Sequence, residues 1–204
     1  MGLQNRFGIW LGSALLVFSS LGCTTPYHNP NLPNLATSSE YYSAAEDSSG
    51  RSKVYDGFMQ TMELSATLLN TRTARLQVEH KARIYQWPAE QYSNNKSEVE
   101  TSLSRETKVF LSFFVPERKH DDLHKPRTLW KIFLDAGGRR YEGRAERMKT
   151  ILAEVQSLYP NHTRFQTPYI VTFQVPMSQV ENSDSKLTLT GPVGSTSIQF
   201  KPAQ

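Results

Sequence analysis

Apolar residues recur at every second position in six separated stretches of this chain, and that spacing constrains the fold more than any other feature. Met62, Leu64, Ala66 and Leu68 alternate with Thr61, Glu63, Ser65 and Thr67. Successive side chains of an extended strand point to opposite faces, so a stretch of this kind buries one face and turns the other to water. The alternation returns at Val109, Leu111, Phe113 and Val115, at Trp130, Ile132 and Leu134, and at Tyr169, Val171, Phe173 and Val175. It closes with Leu187 and Leu189, followed by Ile198 and Phe200.

Turn chemistry separates these strands. Asp135-Ala136-Gly137-Gly138 supplies the positive φ of a tight hairpin and predicts a return strand from Arg139 to Ala145. Gly191-Pro192-Val193-Gly194 does the same between the last two strands, while Pro116 and Pro176 end theirs because proline cannot donate to a continuing ladder. Two regions change period. Ala74, Val78, Ala82 and Tyr85, between Asn70 or Thr71 and Pro88, predict a helix, and Tyr92, Val99 and Leu103 a weaker one. Met148, Ile151, Leu152, Val155 and Leu158 predict a further short helix that Pro160 stops. The expected fold is mainly β: an antiparallel β-sandwich with a helical insertion at about 71–105 and one further short helix.

The first residues have a different purpose. Arg6 precedes the apolar run from Phe7 to Phe18, and Ser19 and Ser20 end that run short of the roughly 20 residues a membrane-spanning helix needs. Ser20-Leu21-Gly22-Cys23 resembles the lipobox of bacterial lipoproteins, although Ser20 and Leu21 stand where that family usually has Leu and a small residue. The resemblance implies a signal peptide over 1–22, a diacylglycerol group on the Cys23 sulfur, and cleavage just before it. Thr24, where lipoproteins kept at the inner membrane typically carry Asp, implies the outer membrane. Ser20 and Gly22 also satisfy the small-x-small rule of the ordinary signal peptidase, and both rules make Cys23 the first mature residue. Cys23 is the only cysteine, so no second thiol of this chain can pair with it.

Behind it, residues 23–50 read as a lipid-anchored flexible tether. Pro26, Pro30 and Pro33 with Asn29, Asn31 and Asn34 leave no apolar periodicity. Such a tether would span roughly 30 Å as a coil and about 90 Å drawn out. Residues 51–204 then form the β domain. A net charge of +4, reduced to +3 without Arg6, permits contact with anionic envelope polymers but gives no expectation of nucleic acid as a partner.

The sharpest chemical cluster is His120, Asp121, Asp122 and His124, whose imidazoles and carboxylates are metal-ligand types. Pro116 and Pro126 bracket it, which removes the helical geometry that would put both histidines on one face. Arg139, Arg140, Arg144, Arg147 and Lys149 are candidates for anion binding, with edge protection as the plainer role. No serine sits in G-x-S-x-G, and Gly191–Ser195 lacks the lysine of a phosphate loop. The expected function is a non-catalytic binding or scaffolding lipoprotein of the cell envelope, without cofactor. Its membrane contact is the lipidated Cys23, and its partner is an envelope protein or an anionic polymer. The alternative is a periplasm-facing metal-assisted hydrolase built on His120–His124.

Overall fold

The structure is a computed structural model that describes residues 28–32 and 34–202. The expected signal peptide and Cys23 lie outside the described residues. Helix α1 (Ser38–Asp47) leads into the hairpin β1 (Ser49–Asp56) and β2 (Met59–Leu68). Helices α2 (Thr71–Ile84) and α3 (Ala89–Leu103) precede β3 (Thr107–Phe114). Then come β4 (Lys131–Ala136), β5 (Arg139–Glu142), β6 (Arg144–Arg147), α4 (Leu152–Leu158), β7 (Thr167–Phe173), β8 (Ser185–Gly191) and β9 (Gly194–Phe200). The result is a mixed α/β fold with two antiparallel sheets, one of order β1-β2-β3-β7-β6 and one of order β5-β4-β8-β9. Strands dominate the chain less than the expected mainly β class, because helices fill both the insertion and the segment before β1.

The period-two residues form the core. Leu64, Leu111, Tyr169 and Phe173 from the first sheet share one apolar cluster with Leu134, Leu187 and Leu189 from the second. Burial of side chains this size stabilises by about 1.5–3 kcal/mol each, before the entropy of ordering them is counted. The sheets also meet at their margins. Thr196 Oγ1 on β9 lies 2.6 Å from Ser52 Oγ on β1. Gly50 faces Ile198, where a Cβ would overlap the Ile198 side chain.

Three expectations are corrected. The return from the Gly137-Gly138 turn is not one strand: β5 pairs with β4 while β6 pairs with β7, so the chain changes sheets at Gly143. A Cβ on Gly143 would sit 2.5 Å from the Phe173 ring, and that close approach is why glycine stands at the crossing. The helix expected from Met148 begins only at Leu152, because the Met148 amide donates to the Pro168 carbonyl and extends the β6–β7 ladder instead.

The third correction concerns the tether. Residues 38–47 are helical, capped by Thr37 and Glu40 in a reciprocal box, and Tyr41, Ala44 and Ala45 bury one face. The arm before it is tied down as well. The Asn29 side-chain amide donates to the Ala82 and Trp87 carbonyls at 2.8 and 3.0 Å, the Ala36 amide donates to Glu79 at 2.7 Å, and Arg83 donates to the Leu35 carbonyl at 3.0 Å. Proline and asparagine content was a poor guide here, since these bonds satisfy the arm without apolar periodicity.

Candidate functional site

On the side of the five-stranded sheet away from the inter-sheet core, Phe110 and Ile170 join Val155, Leu158 and Tyr159 in a second apolar cluster, with Phe110 stacked on Tyr159 at a 3.5 Å ring separation. A cleft of about 340 Å³ opens there, lined by Tyr42, Glu46, Ser65, Ser112, Gln156 and Tyr159 among others. Its hydroxyls are largely engaged with protein groups. Ser49 Oγ lies 2.6 Å from Thr67 Oγ1, and Arg51 Nε donates to Ser65 Oγ at 3.0 Å.

Ser112 and His162, fifty residues apart, meet at the cleft floor with 2.6 Å between Oγ and Nδ1. Burial holds the His162 imidazole below its ordinary 6.5, so the ring is neutral at neutral pH, and its tautomer sets whether Nδ1 or the serine hydroxyl donates. A hydroxyl on a neutral imidazole is two parts of a nucleophile, base and orienter set. Ser112, however, has no solvent exposure, and among the described residues no carboxylate hydrogen-bonds the His162 ring. The pair therefore satisfies two buried polar groups under α4. The sequence held no signal for it, because neither residue has a motif neighbour.

Two members of the His120–His124 segment, Asp121 and His124, converge on the Tyr169 hydroxyl, with His124 Nδ1 3.5 Å from it, while His120 and Asp122 point their bonds elsewhere. Asp121 reaches β7, where Tyr169 donates to Oδ1 at 2.8 Å and Thr167 to Oδ2 at 2.5 Å. Burial, with the Asp121 charge beside it, pushes the Tyr169 phenol far above its ordinary 10. Asp122 accepts from Thr128 at 3.0 Å, and the His120 carbonyl accepts from Trp130 Nε1 at 2.7 Å. Among the described residues no three His, Cys, Asp or Glu side chains come together as a metal site. The four candidates His120, Asp121, Asp122 and His124 thus lack metal-site geometry, and Asp121 fastens a loop to the sheet.

The basic candidates are divided by the crossing at Gly143. Arg140 makes a forked pair with Asp135 at 2.7 and 3.0 Å and lies over the Phe133 ring, holding the Asp135 carboxyl below its ordinary range. Arg139, Arg144, Arg147 and Lys149 are exposed. Among the described residues these four make no ion pair within 4.0 Å.

A further surface, which no sequence motif marks, is the tip of the β1–β2 hairpin. Asp56 pairs with Met59, leaving Gly57 and Phe58 as the turn, with Gly57 at φ 58°. Phe58 is 106% exposed, Met59 74% and Tyr55 55%. The alternation gave no signal for this tip, since Phe58 keeps the even parity of the buried Met62, Leu64, Ala66 and Leu68. Comparison of the chain with protein-family models, curated proteins and solved structures finds no match.

Proposed function

We propose that this chain is an outer-membrane-anchored lipoprotein whose β domain is a non-catalytic binding or scaffolding module of the cell envelope. Cys23, as the first mature residue, carries the lipid, and two or three acyl chains hold stably where one would not. The two sheets close as a β-sandwich, joined through Gly143 on one margin and by the contact of β1 with β9 on the other. The observation that carries the binding role is the hairpin tip. Tyr55, Phe58 and Met59 at the hairpin tip lie outside the core cluster, and an aromatic anchor such as Phe58 gains its energy by entering a partner's pocket.

The partner class is an envelope protein with an apolar pocket, met at the high effective concentration that a shared membrane gives. The basic candidates are split between β5 of one sheet and β6 of the other rather than gathered on one strand, which favours this over an anionic polymer. A photo-crosslinking residue at Phe58, introduced in the native envelope, tests the reading. Reproducible capture of one protein supports it, and absence of capture at Phe58 with capture at Arg144 would replace it with the basic surface.

A further inference from the structure

The docked arm sets how far the lipid of this proposed anchor lies from the folded chain, and which face it draws to the membrane. Asn29 is buried and bonded to the Ala82 carbonyl in the last turn of α2 and the Trp87 carbonyl just beyond it, so the leash runs only from Cys23 to Asn29. Six residue steps reach at most about 20 Å. A domain of this length has a radius of gyration of about 16 Å, so its diameter exceeds the leash and its far side is kept from the bilayer.

The surface at that attachment point is apolar and aromatic. Trp87, whose carbonyl accepts from Asn29, lies against Tyr85 with ring centroids 6.1 Å apart. The Tyr85 hydroxyl donates to Glu154 at 2.6 Å, which ties this corner to the start of α4. There Ile151, whose carbonyl accepts from the Glu154 amide, is 71% exposed and Leu152 40%. Neither residue is needed to fill the cluster beneath α4, which Val155 and Leu158 occupy.

We propose that the corner formed by Tyr85, Trp87, Ile151 and Leu152 is the surface that rests on the lipid bilayer. Tyrosine and tryptophan suit the headgroup level, where one end of the ring is dry and the other wet, and exposed aliphatic side chains beside them enter the acyl boundary. The Glu154 carboxylate limits the depth to that interface, since a charge taken into hydrocarbon would cost more than these side chains gain. Exposure of Ile151 and Leu152 is thereby accounted for, as is the use of asparagine to fix an arm that composition would leave loose.

This inference rests on the lipoprotein reading, and a test can keep the two apart. The mature chain from Cys23, carrying Trp130→Phe so that Trp87 is its one tryptophan, is coupled through the Cys23 thiol to a maleimide lipid in phosphatidylethanolamine and phosphatidylglycerol vesicles. Brominated acyl chains then quench tryptophan that reaches the interface. Trp87 emission is expected to fall about twofold or more against unbrominated vesicles, with a blue shift, and Ile151→Ser with Leu152→Ser should cut that quenching by about half. Asn29→Ala, which frees the arm, should cut it likewise. Unquenched Trp87 in the folded, coupled protein would overturn the proposal, as would quenching that neither variant reduces. If Trp130→Phe does not fold, the difference between the native chain and Trp87→Phe gives the same signal, since Trp130 is only 3% exposed. Chemical coupling makes the outcome independent of lipidation in cells, which is read separately from the mass of the native N-terminus.

Discussion

The two faces of the five-stranded sheet are covered by different chemistry. Its inner face, with Leu64, Ala66, Val109, Leu111 and Val171, meets the other sheet mainly through apolar side chains, with the Ser52–Thr196 hydroxyl pair at one margin. Its outer face lies under helices and mixes Phe110 and Ile170 with Ser65, Thr67 and Ser112, while the helices bring Gln77, His80 and nearby His162. The dry face is held by area and close packing, which tolerate exchange among apolar residues of similar volume. The helical side depends on individual hydrogen bonds, and there the loss of one atom leaves a buried partner unsatisfied.

The largest expected effect therefore belongs to the dry face. Leu111→Ala should lower the unfolding free energy by about 2–5 kcal/mol, read as a shift of the urea midpoint. A loss no greater than that of Ile170→Ala on the other face would erase the distinction. Next is Tyr41→Phe, which removes the hydroxyl that donates to the Leu158 carbonyl and accepts from Gln77. It should cost about 1–3 kcal/mol although the ring remains, because two buried groups lose their partner. A neutral result would mean that the helical side is also held by packing.

Acid should act on the helical side first. Burial lowers the pKa of both His80 and His162 below 6.5 in the folded chain. The unfolded chain then binds protons that the folded chain refuses, so stability is full above pH 6.5 and is lost as pH falls through the folded values. Thermal melts on the acid side of 6.5 should show Tm falling, and His80→Gln with His162→Gln should flatten that slope. An unchanged slope would exclude these histidines as its source. The smallest effect should come from the exposed Arg140–Asp135 fork: Arg140→Ala should move the urea midpoint by no more than the scatter between replicate melts.

The same division explains what the sequence made legible. Strands with one dry face declared themselves by period two, and the Asn70 cap and the Gly137-Gly138 turn marked their element boundaries. β1 did not, because Ser49 to Asp56 is largely polar and is held by pairing with β2 rather than by an apolar face. Helix α1 carried a Thr37–Glu40 capping signal that the surrounding prolines and asparagines obscured. The sheet change at Gly143 and the Ser112–His162 contact arise from three-dimensional proximity, which local pattern does not encode. At His120–His124 closeness in sequence is used in bonds to Thr167, Tyr169 and Thr128, and among the described residues no three-ligand cluster results.

Everything proposed about function begins at Cys23, and the mass of the mature N-terminal peptide recovered from the outer-membrane fraction tests it most directly. The expected result is a peptide that starts at Cys23 and carries a diacylglycerol thioether with a further acyl chain on its amine. A peptide with Cys23 unmodified, or a mature chain that starts elsewhere, would contradict the anchor and with it the proposed place of this protein in the cell.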